Sequence, residues 1–407
     1  MSGPPLRVLF LTPYFRPYLG GIERAIEQLS AQLLQSSQVE AVGVLTTEYA
    51  FYIIPHPEWP DRETTAQGIA IYRLRGWPRQ SPALSTVPLV WFSPWQIRRY
   101  VKEFNPSVVH LVGDGWFWGH FWAWFWYRRR ARFIFTPSYH PLPPGNWWLR
   151  RFNRFLCRVV DQVVSLSRQE AEQVRKDYHL APEKQQVIGW GASVPDIPHP
   201  SPLPQGEREV IIPSPALGEG QGEGKGEGDA PLTILCVGRL GAHKGQAWLL
   251  EVYRQARFQF NHPARLVLVG RDEDGEADLR SAIAAAGLAR EVLLTGEVSD
   301  AELAGWYQQA DLFSLFSQYE AFGLAYFEGM SCGVPVLTHD VGANRELLAR
   351  GAVIVPRYDM PAAVGQMVRL VNDHGLRQRL GEEARQYALA GFSWASVAER
   401  YLRVYTG

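Results

Sequence analysis

The stretch "EAFGLAYFEGMSCGVPVL", residues 320–337, carries two carboxylates eight positions apart, Glu320 and Glu328. The pattern predicts a helix that begins near Gly323. Glu320 then falls in the preceding loop and Glu328 just over a turn inside. A helix start presents backbone amides with no partner within the helix, and these suit an anionic phosphate. A carboxylate beside them can accept hydrogen bonds from the hydroxyls of a neutral polyol. Gly323 lets a ligand approach the backbone closely. A solvated Glu pair flanking a core helix would show the same spacing, so spacing alone leaves both readings open.

A second constellation is "GRLGAHKG", residues 238–245. Arg239 follows a strand-like run and Lys244 comes five residues later, before a helix-like one. Two cations in a strand-to-helix loop can neutralise a diphosphate. Either cation alone would more often be a solvated surface residue. The segment lacks the spacing of a P-loop, which argues against a P-loop ATPase. In the N-terminal half, Gly20-Gly21 separates the first strand-like run from the first helix-like one and offers amides to an anion. His140, in "TPSYHP", ends a strand-like run before Pro141. Many turns need a glycine pair, and a lone histidine is more often structural.

The elements that must position these residues alternate. "LRVLFLT", "VEAVGVLTT", "AIYRLRG", "SVVHLVG" and "RFIFTPSYH" read as strands, with helix-like segments such as "GGIERAIEQLSAQLLQ" between them. A second series runs from "LTILCVGRL" through "RLVLVGR", "EVLLTGE", "DLFSLFS" and "VPVLTHD". Strand–helix alternation implies α/β architecture with doubly wound parallel sheets. Between the two series, residues 198–230 are rich in Pro, Gly and Glu and read as a flexible inserted linker. The expected division is residues 1–197, the linker 198–230, residues 231–385, and a C-terminal helix at 386–407 that packs back toward the first domain. Two such domains would face a common ligand cleft with the carboxyl ends of their strands.

Composition limits the classes open to the chain. It has 407 residues, 46% hydrophobic and 20% charged, with zero formal net charge. That is a soluble globular balance with no electrostatic bias toward nucleic acid. The halves differ: residues 1–195 hold 22 Lys/Arg against 14 Asp/Glu, a net +8, and the remainder holds 19 against 27, a net −8. The three cysteines are far apart and show neither a disulfide framework nor a zinc spacing. No His/Asp cluster with metal-ligand spacing suggests a metal site. The N-terminus reads as a first strand, and no apolar window is long enough for a spanning helix.

The order of Gly-Gly, a strand-end His, Gly-Arg-Leu with a following Lys-Gly, and Glu-x7-Glu before "CGVPV" resembles the retaining glycosyltransferases of family 4. These have the GT-B fold, two Rossmann-like domains facing each other across a cleft. "VGANRE", with Gly342 and Glu346, looks like the family's Gly-Gly-x-x-Glu segment. The resemblance implies that Arg239 and Lys244 bind the donor diphosphate and stabilise the departing nucleotide, with Gly21 offering its amide to the same phosphates. It implies that Glu320 holds donor-sugar hydroxyls and Glu328 the ribose hydroxyls. Amides around Phe322, Gly323 and Leu324 would contact sugar and phosphate, and His140 the sugar near the reacting centre. No cofactor or metal is implied beyond the donor, a UDP- or GDP-sugar. Ala321 and Ala325 stand where Gly and Pro are common, Ala343 replaces the second Gly, and Trp190 stands where Asn is usual.

The implied activity is hexosyl transfer to an acceptor hydroxyl with retention, on a glycan or lipid-linked acceptor held by the N-terminal domain. The alternatives are a sugar-nucleotide epimerase of the same architecture or a non-catalytic nucleotide-sugar-binding protein. The segment "NWWLRRFNRFLCR" sets Trp147 and Trp148 among Arg150, Arg151, Arg154 and Arg158. It can lie on an anionic membrane surface or pack on the sheet with solvated arginines. The expected location is cytoplasmic, with peripheral contact at the inner face of the cell membrane. The stretch "WFWGHFWAWFWYRRR", residues 116–130, is too short to span a bilayer, and its position calls for a crossover helix. Such a helix would be buried or half covered. Asp114 and the aromatics Trp116, Phe117 and Trp118 would sit at the cleft rim, where a ring can stack on a sugar face.

Overall fold

Short apolar runs form parallel strands, and the amphipathic stretches between them form helices. The computed structural model describes residues 4–18, 20–50, 54–79, 89–113, 117–139, 147–192 and 230–407. The chain divides into two units, residues 1–191 with 394–407, and residues 192–393. The boundary expected at 385/386 lies inside one continuous helix, His374–Phe392, which stays with the second unit. The chain instead changes unit at Ser393/Trp394, where a second helix, Trp394–Thr406, begins. Apart from residue 230, the linker at 198–230 lies outside the described residues.

The first unit contains β1 (Leu6–Leu11), β2 (Val39–Thr47), β3 (Arg62–Thr64), β4 (Ala70–Leu74), β5 (Val108–Val112), β6 (Arg132–Thr136), β7 (Gln162–Ser165) and β8 (Gln185–Val187). They form one sheet in the order β8-β7-β6-β5-β1-β2-β4-β3. Every pairing is parallel except β3 with β4 at the edge. The central strands are buried on both faces, which is why "VVHLV" reads as an apolar run rather than an alternation. Leu9, Leu11, Val109, Leu111, Phe133 and Phe135 join one core cluster with Ile97, Val101, Ala123 and Leu156 from three helices. Residues out of step with these include Phe10, which is aligned with Val44 and His110. There His110 lies 2.8 Å from Tyr405 Oη through Nδ1 and 2.8 Å from Thr136 Oγ1 through Nε2. Tyr405 belongs to Trp394–Thr406, so this buried triad fastens that helix to the sheet. Trp190, where Asn was expected, is buried and stacked on Tyr401 of the same helix.

The aromatic stretch forms the helix Phe117–Tyr127 between β5 and β6, as the crossover requires. Its inner face is not the tryptophans. Gly119, His120, Ala123 and Tyr127 are buried, while Phe121, Trp122, Trp124 and Trp126 are only partly covered and Phe125 is exposed. Gly119 and Ala123 are small, and the two larger buried residues have polar partners: His120 Nε2 lies 3.4 Å from Leu11 O, and Tyr127 Oη donates to Arg98 O at 3.1 Å. Trp118 donates its indole N–H to Phe92 O at 3.3 Å. Asp114, Trp116 and His140 lie outside the described residues. No helix among the described residues is long and apolar enough to cross a membrane.

The second unit contains β9 (Leu232–Val237), β10 (Ala264–Val269), β11 (Val292–Gly296), β12 (Leu312–Ser314), β13 (Val336–His339) and β14 (Ala352–Val355). Their order is β11-β10-β9-β12-β13-β14, all parallel. This is the doubly wound 3-2-1-4-5-6 arrangement. The order reverses between β9 and β12, and loops leaving those two carboxyl ends flank a natural ligand crevice.

Candidate functional site

Arg239 leaves the carboxyl end of β9, and Glu320 lies in the loop after β12, so the two come from opposite sides of that switch point. Lys244 ends a short 3-10 turn, Ala242–Lys244. Gly245 follows in the left-handed region at φ 70°, with its Cα so close to Phe316 that a Cβ would lie 2.0 Å from the Phe316 carbonyl oxygen. Only glycine fits there, and that contact ties the Lys244 turn to the loop bearing Glu320. Lys244 Nζ donates to Glu320 Oε1 at 2.5 Å, and Ser317 Oγ donates to the same oxygen at 2.8 Å. The two side chains are 19% and 10% exposed, so this pair is largely withdrawn from water.

The backbone around Glu320 is held from a third side. Gly342, at φ 48°, packs so tightly that a Cβ would lie 1.9 Å from Glu320 O, and Ala343 N–H donates to that oxygen at 3.3 Å. The glycine of "VGANRE" is therefore required, whereas Ala343 sits at φ −86°, where no second glycine is needed. Glu346 is half-buried in the short helix Asn344–Leu347. His339 ends β13 fully buried, and its Nε2 lies 2.7 Å from Ser317 O, so that nitrogen carries the proton. Burial holds its pKa below the ordinary value.

The helix Leu324–Ser331 begins at Gly323 in the left-handed region, φ 78°. Phe322 is buried, stacked on Phe327 with ring centroids 4.7 Å apart, so its side chain serves the core and only its backbone can face a ligand. Glu328 is half-buried inside the helix and accepts a 2.7 Å hydrogen bond from Tyr307 Oη. The positions of Glu320 before the helix and Glu328 within it follow the sequence pattern. Near the two cations, His243 is half-exposed. Burial, then the charges of Arg239 and Lys244, lower its pKa.

Arg239 forms an ion pair with Glu273, a residue no motif pointed to. Tyr307, Ser317, His339 and Gln246 also escaped the sequence. Gln246 is buried and its Nε2 donates to Arg239 O at 2.8 Å. In the other unit, Gly21 opens the helix Gly21–Leu34. The Gly20 amide donates to Glu23 Oε2 at 2.9 Å. That buried carboxylate offsets the positive end of the helix, so an anion at Gly21 meets a weaker field than at a bare helix start.

Arranged this way, the second unit sets Arg239, Lys244 and Glu320 in the two loops that flank the switch point, with Glu328 inside the helix that follows. Those are the groups needed by a ligand that is both diphosphate and polyol. Comparison with known proteins points the same way. Residues 222–387 match the family model of the glycosyl transferases group 1, and residues 20–191 that of a glycosyl transferase 4-like domain. The chain is 27% identical over 424 residues to the GDP-mannose:cellobiosyl-diphosphopolyprenol alpha-mannosyltransferase of Komagataeibacter xylinus, covering 98% of this chain and 93% of that one. It is 31% identical over 250 residues to the D-inositol 3-phosphate glycosyltransferase of Xylanimonas cellulosilytica, covering 60% of this chain and 56% of that one. In structure it is similar to a sucrose-phosphate synthase from Thermosynechococcus elongatus, with a TM-score of 0.75 at 18% identity over 99% and 98% of the two chains. With one family model on each unit and full-length likeness in both sequence and structure, the chain belongs to the group 1 glycosyl transferases, the family 4 glycosyltransferases of GT-B fold.

Proposed function

We propose that the chain transfers a hexosyl group from a nucleoside-diphosphate sugar to an acceptor hydroxyl, with retention at the anomeric carbon. The Lys244–Glu320 contact across the switch point, with Arg239 in the same loop as Lys244, carries this reading. As the glycosidic bond to the diphosphate breaks, negative charge grows on the leaving oxygens. Cations already in place stabilise that charge without reorganising. Arg239 and Lys244 take that role, assisted by the amides of Phe322, Gly323 and Leu324 and by Gly21, and no metal is called for. Glu320 exchanges part of its contact with Lys244 for donor-sugar hydroxyls, Glu328 accepts from the ribose, and His140 contacts the sugar near the reacting carbon. No carboxylate is assigned as a nucleophile, so the acceptor attacks the face the nucleotide leaves.

GDP-mannose is the first donor to test, because three relatives matched over 98% of this chain carry it in their names. UDP-sugars come next. The same names suggest a lipid-linked acceptor, and the first unit has a surface suited to one. Helices Pro94–Phe104, Phe117–Tyr127 and Trp147–Val159 pack in sequence, and they and the arginines after the second hold ten Lys/Arg against one Asp/Glu. Trp95 and Trp147 are 61% and 64% exposed there. Arg98 lies over both Trp95 and Trp126. Cations with exposed indoles suit the interface of an anionic bilayer. We place the working enzyme at the cytoplasmic face of a membrane.

The test is a panel of GDP- and UDP-sugars, with nucleotide release measured with and without lipid-linked acceptors and product configuration read by NMR. Acceptor-dependent release with an α-linked product from an α-donor is the expected result. Inverted product would refute retention, and interconversion of the donor sugar without transfer would refute the transferase reading. Anionic vesicles should bind the protein at low salt and lose it on Trp95→Ala/Trp147→Ala. Equal binding by that variant would remove this surface from the proposal.

A further inference from the structure

Glu273 lies in the loop after β10 and has no role in the donor reading, although its side chain meets Arg239, which does. That loop runs beside the Arg239 loop and continues the ladder past the strand ends. Gly238 N–H donates to Val269 O at 2.9 Å, Leu240 N–H to Arg271 O at 2.8 Å, and Glu273 N–H back to Leu240 O at 2.9 Å. Glycines permit the closeness: a Cβ on Gly270 would lie 2.0 Å from Gly238 O, and one on Gly275 would lie 2.6 Å from Leu240 O. Asp272 Oδ1 accepts the Gly275 and Glu276 amides at 2.9 Å each, which ties the loop's far end to the helix Glu276–Ala285.

The Glu273 backbone is thus fixed on both sides of its side chain. The side chain is 6% exposed and pairs through Oε1 with Arg239 Nη1. Its other oxygen lies 3.9 Å from His243 Nε2. An exposed ion pair contributes little, because two long side chains must be ordered to make it. Here one partner is already immobile, and Gln246 holds the Arg239 carbonyl at 2.8 Å. Without that partner the arginine would give up more rotamer entropy when a ligand arrives. A guanidinium has five N–H donors in a rigid fork, so one carboxylate and one phosphate can share it.

Resting on the reading of Arg239 as a donor-phosphate ligand, we infer that Glu273 is a positioning residue for Arg239. It holds the guanidinium where the diphosphate lands and does not itself touch the donor. The two residues then act as one unit, which a double-mutant cycle detects.

The experiment titrates the full-length protein with GDP, UDP and inorganic pyrophosphate by calorimetry. The proteins are wild type, Glu273→Ala, Glu273→Gln, Arg239→Ala and the Glu273→Ala/Arg239→Ala pair, each checked for folding by thermal unfolding. Glu273→Ala should weaken the best-bound probe about tenfold, within the range of coupling between contacting residues. Glu273→Gln, which keeps an oxygen acceptor and loses the charge, should fall between it and wild type. The double variant should bind no worse than Arg239→Ala alone, an outcome that a general loss of structure would not give. Unchanged or tighter binding by Glu273→Ala, or losses that add in the double variant, would overturn the inference while leaving the donor reading intact. Should wild type bind none of the three probes, the donor reading falls and this inference falls with it.

Discussion

Gly342→Ala tests the frame around Glu320. At φ 48° an alanine costs roughly 1–2 kcal/mol in backbone strain. Its Cβ would lie 1.9 Å from Glu320 O and 2.9 Å from Glu320 C, where real Cβ atoms stay beyond 3.0 Å. Either the 341–343 turn or the Glu320 peptide must move by about 1 Å. Overpacking of that kind costs about 1–3 kcal/mol more. At about 2–4 °C per kcal/mol for a unit of this size, unfolding should fall by roughly 4–20 °C. The functional loss should be larger in proportion, because a misplacement of about 1 Å at a reacting site can cost about 10²-fold. Thermal unfolding and turnover, the latter measured well below the variant's transition, report the two effects separately. Gly365→Ala is the control: it sits in the helix Met360–Asn372 with nothing within 4 Å of the new carbon, and should be neutral or slightly stabilising. If Gly342→Ala unfolds within about 2 °C of wild type and turns over within about threefold, the close approach to Glu320 is not a constraint.

Arg239→Ala and Lys244→Ala should each lower turnover at least about 10²-fold, the usual effect of removing one group that stabilises developing charge; turnover near wild type in either would sink the phosphate assignment. Lys244→Ala should also unfold earlier, since it leaves Glu320 buried without its cation. Tyr307→Phe removes the hydroxyl that donates to Glu328, and nucleotide affinity should fall severalfold with kcat unchanged; equal affinity by calorimetry would detach Glu328 from nucleotide binding. For pH, burial holds His110 and His120 near pKa 3, against 6.5 in the unfolded chain. Below pH 6.5 the unfolded state binds the extra protons, so stability is fully present above 6.5 and falls as pH drops toward 3. Each histidine should remove about 2 kcal/mol by pH 5, and His120→Asn should flatten the slope of the denaturant midpoint against pH. A wild-type midpoint that is flat from pH 7 to 5 would contradict the burial argument.

Much of the second unit was legible because strand-end residues are placed by local sequence. Once β9 and β12 are recognised as buried strands, the next loop residues must lie at the carboxyl edge, and Arg239, Lys244 and Glu320 follow. The helix after Gly323 was equally local, set by one glycine at positive φ. The aromatic helix was harder. Its composition allows a buried or a half-covered helix, and the structure shows the second: Gly119, His120, Ala123 and Tyr127 are buried while the tryptophans are only partly covered. Which face turns inward depended on the side chains it meets on the sheet, and that is a property of β1, β5 and β6 together. The join lies at Ser393 and not at 385, and the reason is local: residues 382–390 hold no helix breaker, while Gly391 and Ser393 fall at the end of the helix.

Glu273 shows where such reading stops. "GRDEDGEAD" looks like a solvated acidic loop, and by spacing it is one. Three backbone hydrogen bonds to the neighbouring loop bury one of its carboxylates against Arg239 and leave the rest at the surface. A cation that meets a ligand is revealed by its place after a strand. The carboxylate that orients it comes from the loop after the adjacent strand, thirty-four residues further along the chain, and only the parallel ladder brings the two into register. The residues that touch a ligand in a doubly wound sheet are therefore more readable than those that hold them in place. The positioning residues of this enzyme are best sought in the loops that pair with the Arg239 and Glu320 loops, beginning with the one after β10.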